Sequence, residues 1–199
     1  MFLVLLMIFH PAGGWQRAAE SGRSVARITL LHLMPMLLLG CVAEGAGMMR
    51  WGKRITQFGR LKTYALPDVL RFEVCHFAAG LVLVFAGAVI LKSLGNTFHS
   101  RQKFVQAFTA AAFGLGPIFL LRVCDAFPAI PPLVSWAIGA VLTISVLYQG
   151  LPRVMKLDPG LAAGVYISSV ILLVLASGIE RGFMVYFVER KLLGTVLSL

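Results

Sequence analysis

Acidic residues are scarce in this chain. Eight Asp and Glu stand against 18 Lys and Arg in 199 residues, and charged residues of both signs make up only 13% of the sequence. A soluble domain carries about a quarter charged residues, so too few are present here to clothe a water-exposed surface. Cysteine is also sparse. Cys41, Cys75 and Cys124 are scattered, odd in number and without a CxxC pair. That excludes a disulfide framework or a zinc site and leaves them as small apolar residues of helices or helix ends. Enzyme signatures are missing as well: no G-x-S-x-G, H-E-x-x-H, P-loop, or G-x-G-x-x-G leading into a helix. Gly114-Leu-Gly116 lies inside an apolar run and belongs to packing or a kink. Asp68, Asp125 and Asp158 are all expected outside the spans, which leaves no pair of membrane aspartates for intramembrane proteolysis. The expectation is a non-enzyme with no catalytic, cofactor-binding or metal-binding residue.

Long apolar runs are what the sequence has in excess. Hydrophobic residues make up 59% of the chain, with a mean hydropathy of +0.88. Crossing a bilayer's hydrocarbon takes about 20 residues of helix. The charge-free window Pro159–Ile179 has 21 residues, Val74–Leu91 has 18 and Phe104–Leu121 has 18. A first span is expected from Val25 to Gly47, with Glu44 inside the bilayer or at its edge, because only 16 residues separate Arg27 from Glu44. The fourth lies within Ala126–Pro152 and starts near Pro132 or Leu133, after Pro128, Pro131 and Pro132. Pro117 predicts a kink over Phe113–Pro117, because proline removes a backbone donor and crowds the preceding turn. The fold class expected is therefore an all-α integral membrane protein with five transmembrane helices and short interfacial helices at the termini. Its parts are an interfacial segment at 1–24, a five-helix domain at 25–179 and an amphipathic tail at 180–199.

Three segments are too short or too polar to span. Met1–Phe9 lacks the basic flank and cleavage site of a secretory signal and is expected as a helix in the interface or packed on the bundle. Pro11 to Gly14 should break it, with Trp15 as an interfacial anchor of a following turn. Arg50–Arg71 carries six basic residues, and its rough alternation around Gly59-Arg60 fits either a short hairpin, with Ile55, Phe58, Leu61 and Tyr64 near the membrane surface, or an irregular loop. The tail from Glu180 has no clean apolar stripe and either lengthens the fifth helix, lies in the interface or docks on a partner.

The net charge of +10 sits in the links between apolar runs. Anionic lipid headgroups attract each such residue by about 1 kcal/mol, so lipid rather than nucleic acid is the expected partner. An odd span count puts the termini on opposite sides. Eight Lys/Arg then lie on the amino-terminal side and ten on the other, a split too even for the positive-inside rule to assign orientation.

Four stretches resemble the Yip family, particularly its bacterial members: His10 to Val25 (HPAGGWQRAAESGRSV), the exit of the second span into an Ala-rich third (VFAGAVILKSLGNTFHSRQKFVQAFTAAAFG), Pro117 with the Phe127-Pro-Ala-Ile-Pro131 link, and Leu147 to Ala162 (LYQGLPRVMKLDPGLA). The resemblance covers about Phe9 to Ile179. It implies five spans, an amino terminus in the cytoplasm of a bacterium's inner membrane, and no cofactor. The basic loop after the first span and the tail beyond Ile179 depart from the family pattern. Eukaryotic relatives bind small GTPases, but fold alone does not carry that function across, and no such residue is transferred.

The candidate intramembrane polar residues are Glu44, Glu73 and His76, since ionisable groups near lipid are costly and mark function. Glu73 and His76 share a helix face, and Glu44 could meet them as a proton or ion site. The plainer alternative has all three solvated at headgroup level. Arg122 and Asp125, three apart, are expected to pair with each other at the third span's exit. His32 is expected as a core histidine bonded to a neighbouring helix. Gly160 and Gly164 form a GxxxG at the start of the fifth span and, with Pro117, are the candidate helix-packing positions; bundle packing or a homodimer contact would use them. The function expected is membrane organisation or scaffolding through lipid and protein contacts, with other membrane proteins or a second copy as partners. The alternatives are an accessory subunit of a larger assembly, or a small transporter or channel.

Overall fold

A computed structural model describes residues 2–54, 61–98, 102–155 and 159–188. Five helices are long and apolar enough to cross a membrane: Val25–Arg50, Leu66–Thr97, Phe104–Ala126, Pro132–Met155 and Gly160–Tyr186. The protein is an all-α, multi-pass membrane bundle, and the one sheet among the described residues is a two-stranded ribbon. The third span is the central one, with 67% of its apolar window buried against 28–39% for the others. Ala107, Ala110, Ala111 and Ala112 are all fully buried there. Such small side chains let neighbouring helices close in, where dispersion stands in for the hydrophobic drive that lipid cannot supply.

Several helices run further than hydropathy predicts. The second begins at Leu66 rather than Val74, taking in Asp68, Arg71 and Glu73. The fifth continues through Glu180 and Arg181 to Phe183, then as a π-helical turn over Met184–Val188. Charged residues end a hydropathy window but keep good helix propensity, so the helix and the apolar run have different limits.

Two prolines shape the spans. As predicted, the third span breaks near Pro117: helix Phe104–Gly114 stops, Leu115 makes a turn, and helix resumes over Gly116–Leu121. Without an N–H on Pro117 the Phe113 carbonyl has no i+4 partner. In the first span Pro35 does the same to Leu31, and the residues just before it, Thr29–Leu33, form a π-helical turn. His32 sits in that turn, buried, with its ring stacked on Phe113 at a centroid distance of 4.1 Å.

The amino-terminal segment packs on the bundle as two helices, Phe2–Phe9 and Pro11–Glu20. The break falls at His10, not over Pro11 to Gly14, because proline at the first helical position is favourable. Trp15 is not an interfacial anchor. Its ring is fully buried between the amino-terminal helices and the fourth span, its Nε1–H donates to the Val146 carbonyl at 2.8 Å, and a side chain at Gly150 would occupy its place. The Gly13-Gly14 pair before it hides this role, since Gly14 lets Met7 pass within contact distance.

Of the two readings of the Arg50–Arg71 loop, the hairpin forms. Lys53–Arg54 pairs antiparallel with Leu61–Lys62, after Gly52 at a φ of +76° turns the chain. Leu61 is exposed and Tyr64 is buried against the helix ends. Ile55, Phe58 and the Gly59-Arg60 tip lie outside the described residues, as does the tail from Glu189. Of the expected packing positions, Pro117 is buried, Gly164 faces the ring of Phe98, and Gly160 is exposed.

Candidate functional site

Five spans and the hairpin each send a polar group to one place near one end of the bundle. The first span supplies Cys41 and Glu44, the second Glu73 and His76, and the third Arg122 and Asp125 from its closing 3-10 turn. Ser135 comes from the first turn of the fourth span, Glu180 and Arg181 from the fifth, and Lys53 from the hairpin. Glu44 stands six residues before its helix ends at Arg50, about 9 Å of rise. The cluster therefore lies inside the helical bundle rather than at the helix tips.

Two glycines of the first span make room for it. Gly47 lies directly on the backbone of Ala126, with no space for a Cβ, and Gly40 lets the Arg122 stem run past at contact distance. The third span's exit thus presses against the first, and the guanidinium reaches across. Arg122 Nε donates to Glu44 Oε2 at 2.9 Å, its Nη2 donates to Glu73 Oε2, and its Nη1 meets Cys41 Sγ at 3.2 Å. Cys41 in turn points its thiol toward the Glu73 carbonyl at 3.7 Å. Lys53 Nζ reaches the other Glu44 oxygen at 2.8 Å and lies over the ring of Phe72. On the far side, Asp125 accepts from Ser135 Oγ and from Arg181 Nη2. Arg181 Nη1 approaches His76 Nε2 at 3.3 Å, while His76 Nδ1 is 3.7 Å from Glu44 Oε2 and its Nε2 is 3.6 Å from Glu180 Oε1.

The structure thus brings Glu44, Glu73 and His76 together and buries all three. They do not lie on a solvent-exposed surface. Two expectations about the third span's exit are corrected. Arg122 and Asp125 do not pair with each other: they point to opposite sides, one to Glu44 and Glu73, the other to Arg181. Nor does Asp125 lie outside the span, because the turn that ends it folds inward. Cys41 is more than an apolar filler for the same reason. Lys53, Glu180, Arg181 and Ser135 complete the site from segments that look peripheral in the sequence. The signal that marks it is a polar pair at i, i+3 close to the same end of three successive spans: Cys41/Glu44, Glu73/His76 and Arg122/Asp125.

Burying a charge is costly unless it is paired and hydrogen-bonded, and pairing accounts for most of this arrangement. Four carboxyl groups face three fixed cations, with His76 between the two halves. A cleft of about 20 Å³, room for roughly one water, opens beside His76, Arg122, Asp125, Ser135, Glu180 and Arg181. Glu73 Oε1, His76 Nδ1, Glu180 Oε1 and Arg181 Nε have no hydrogen-bond partner among the described residues. Atoms of that kind in a polar cleft are served by water.

Glu44, Glu73 and His76 offer ligand atoms within 4.8 Å of one another, which is metal-site spacing. The surroundings do not fit a metal ion. Arg122 already bridges the two carboxylates and Lys53 holds the remaining oxygen of Glu44, so a cation there would face two fixed positive charges at close range.

A match to the Yip1 domain covers residues 5–179. No curated protein and no solved structure matches the chain. The matched region takes in both amino-terminal helices, the hairpin and the cluster's share of four spans, and it stops one residue before Glu180. With most of its length matched, the chain belongs to the Yip1 domain family.

Proposed function

We propose that this Yip1-domain protein is a non-enzymatic membrane protein that organises or scaffolds other components through lipid and protein contacts. In this reading it resides in the inner membrane of a bacterium with its amino terminus in the cytoplasm. The observation that carries the reading is the direction in which the polar groups face. Away from the helix ends, Glu44, Glu73, His76, Arg122 and Arg181 turn inward onto one another at one end. Outward positions such as Val42, Val82, Ile138, Val141, Leu175 and Ile179 are apolar and exposed. Such a surface suits lipid tails and the sides of other membrane helices.

The rest of the interior supports contact over transport. Beyond the cluster, Leu33, Leu37, Phe113, Leu147 and Leu151 fill the middle and far half of the bundle and are buried within about 2% of completely. A transporter needs a polar path through that region. The fifth span's continuation past the family match also favours a subunit reading, since it gives a helical extension on which a partner could seat.

Photo-crosslinking tests the proposal in intact membranes. A photoreactive residue at Val141 should give discrete protein adducts as well as lipid adducts, and one at fully buried Leu147 should give neither. Lipid adducts alone at every exposed position tested would remove the protein-contact reading.

A further inference from the structure

The geometry points to a proton-binding site at His76, where one proton decides whether the imidazole is held by Arg181 or by Glu180. The inference concerns the cluster itself and stands apart from what the bundle binds. Nε2 of His76 has two neighbours of opposite hydrogen-bonding character. Arg181 Nη1, which can only donate, is 3.3 Å away, and Glu180 Oε1, an acceptor when ionised, is 3.6 Å away. Both cannot be satisfied at once. With Arg181 donating, Nε2 must carry the lone pair, so the imidazole is neutral and its proton is on Nδ1, directed at Glu44 Oε2 3.7 Å away.

A proton arriving through the cleft from water would bond to Nε2. The lone pair is then consumed, the Arg181 Nη1–H···Nε2 bond is lost, and Nε2–H donates to Glu180 Oε1. Nδ1–H continues to face Glu44. Arg181 keeps its bond to Asp125, so that half of the cluster does not come apart. Among the described residues, the charged groups around His76 are Glu44 from the first span, Arg122 and Asp125 from the third, Glu180 and Arg181 from the fifth, Lys53 from the hairpin and Glu73 from its own helix. Together they hold four carboxyl groups against three fixed cations, a formal deficit of one positive charge. One proton taken up by the cluster closes it. Glu180 Oε1, one of the cluster's four orphaned atoms, is the one this protonated state would engage.

Glu180 and Arg181 are consecutive residues of one helix, so they approach His76 from different angles. Exchanging one for the other turns or shifts the fifth span's last turns, where Met184 is buried against Tyr64 and Phe72. The output is therefore the position of the helix end that leads into the chain's last residues. Both residues lie just beyond the Yip1 match.

The test uses the full chain in lipid nanodiscs, scanned from about pH 8 to about pH 5. Histidine ¹⁵N spectra, assigned by the signal lost in His76→Gln, should show one protonated ring nitrogen at high pH and two at low pH. Spin labels at Leu70→Cys and Tyr186→Cys, with Cys75 and Cys124 replaced by Ser, should report a distance change of about 1–2 Å or more over the same range. Glu180→Met, which removes the acceptor, should keep the high-pH distance and lose the change, because Glu180 Oε1 makes no hydrogen bond among the described residues in the neutral state. A His76 spectrum that stays constant, a distance that does not respond to pH, or a full response in Glu180→Met would each overturn the proposal.

Discussion

Replacing Arg122 with methionine is the most informative single perturbation. The guanidinium is buried and joins Glu44 to Glu73. In Arg122→Met, Glu44 retains Lys53, but Glu73 loses its only ion-pair partner among the described residues. Removing one partner from a buried pair costs about 3–5 kcal/mol, because the remaining charge is stranded. For a chain of this length each kcal/mol moves Tm by about 2–4 °C, so a fall of roughly 6–20 °C in a thermal unfolding assay in detergent is expected. The triple variant Arg122→Met, Glu44→Gln, Glu73→Gln removes the stranded charges as well and should recover at least half of that loss. Lys53, left without its carboxylate, is long enough to turn its amine back to the interface. A single variant within about 2 °C of the parent, with the same assay scale, would refute the argument that these charges brace the bundle. A triple variant no more stable than the single would refute the stranded-charge explanation.

Other sites give sharper or milder outcomes. Gly47→Val should destabilise by about 1–3 kcal/mol or prevent folding, because its side chain would enter the Ala126 backbone; unfolding curves that overlay the parent's would contradict this. Gly164→Leu should lower the melting profile by less, since a Cβ there meets only the movable ring of Phe98 at 3.2 Å. An unchanged profile would show that this face is not packed. Trp15→Phe, which removes the bond to the Val146 carbonyl, should cost about 0.5–1.5 kcal/mol. It should also speed proteolytic release of the amino-terminal helices, and an unaltered digestion rate would place Trp15 elsewhere. Lys53→Met should raise hydrogen exchange across the hairpin at Lys53–Lys62, and equal protection in the two proteins would mean that Glu44 does not anchor it.

The spans were legible because lipid imposes one requirement, length in apolar residues, that a linear sequence displays directly. Pro117 was legible for an equally local reason. The cluster was only partly so. Glu44, Glu73 and His76 stand out as ionisable residues in apolar context, but their partners do not. Arg122 and Asp125 look self-sufficient at i, i+3, and nothing local reveals that a 3-10 turn sends them apart. Lys53 looks like one more basic residue of a basic loop. Arg181 and Glu180 look like the end of the last span, because a hydropathy window closes where charge begins. The same holds for Trp15, whose neighbours suggest an interface and whose true setting depends on Gly150, more than a hundred residues away. What was missed in each case is a long-range pairing, for which the sequence offers no periodicity.

The proposed role requires a bundle that satisfies its charges internally and meets its surroundings through apolar contact. Native mass analysis of the full chain, extracted gently with its lipids, tests this most directly. Retained lipid together with a second copy or a membrane protein at fixed stoichiometry is the expected result. A lone chain stripped of lipid, which when reconstituted carries a proton or cation flux abolished by Glu44→Gln, would contradict it.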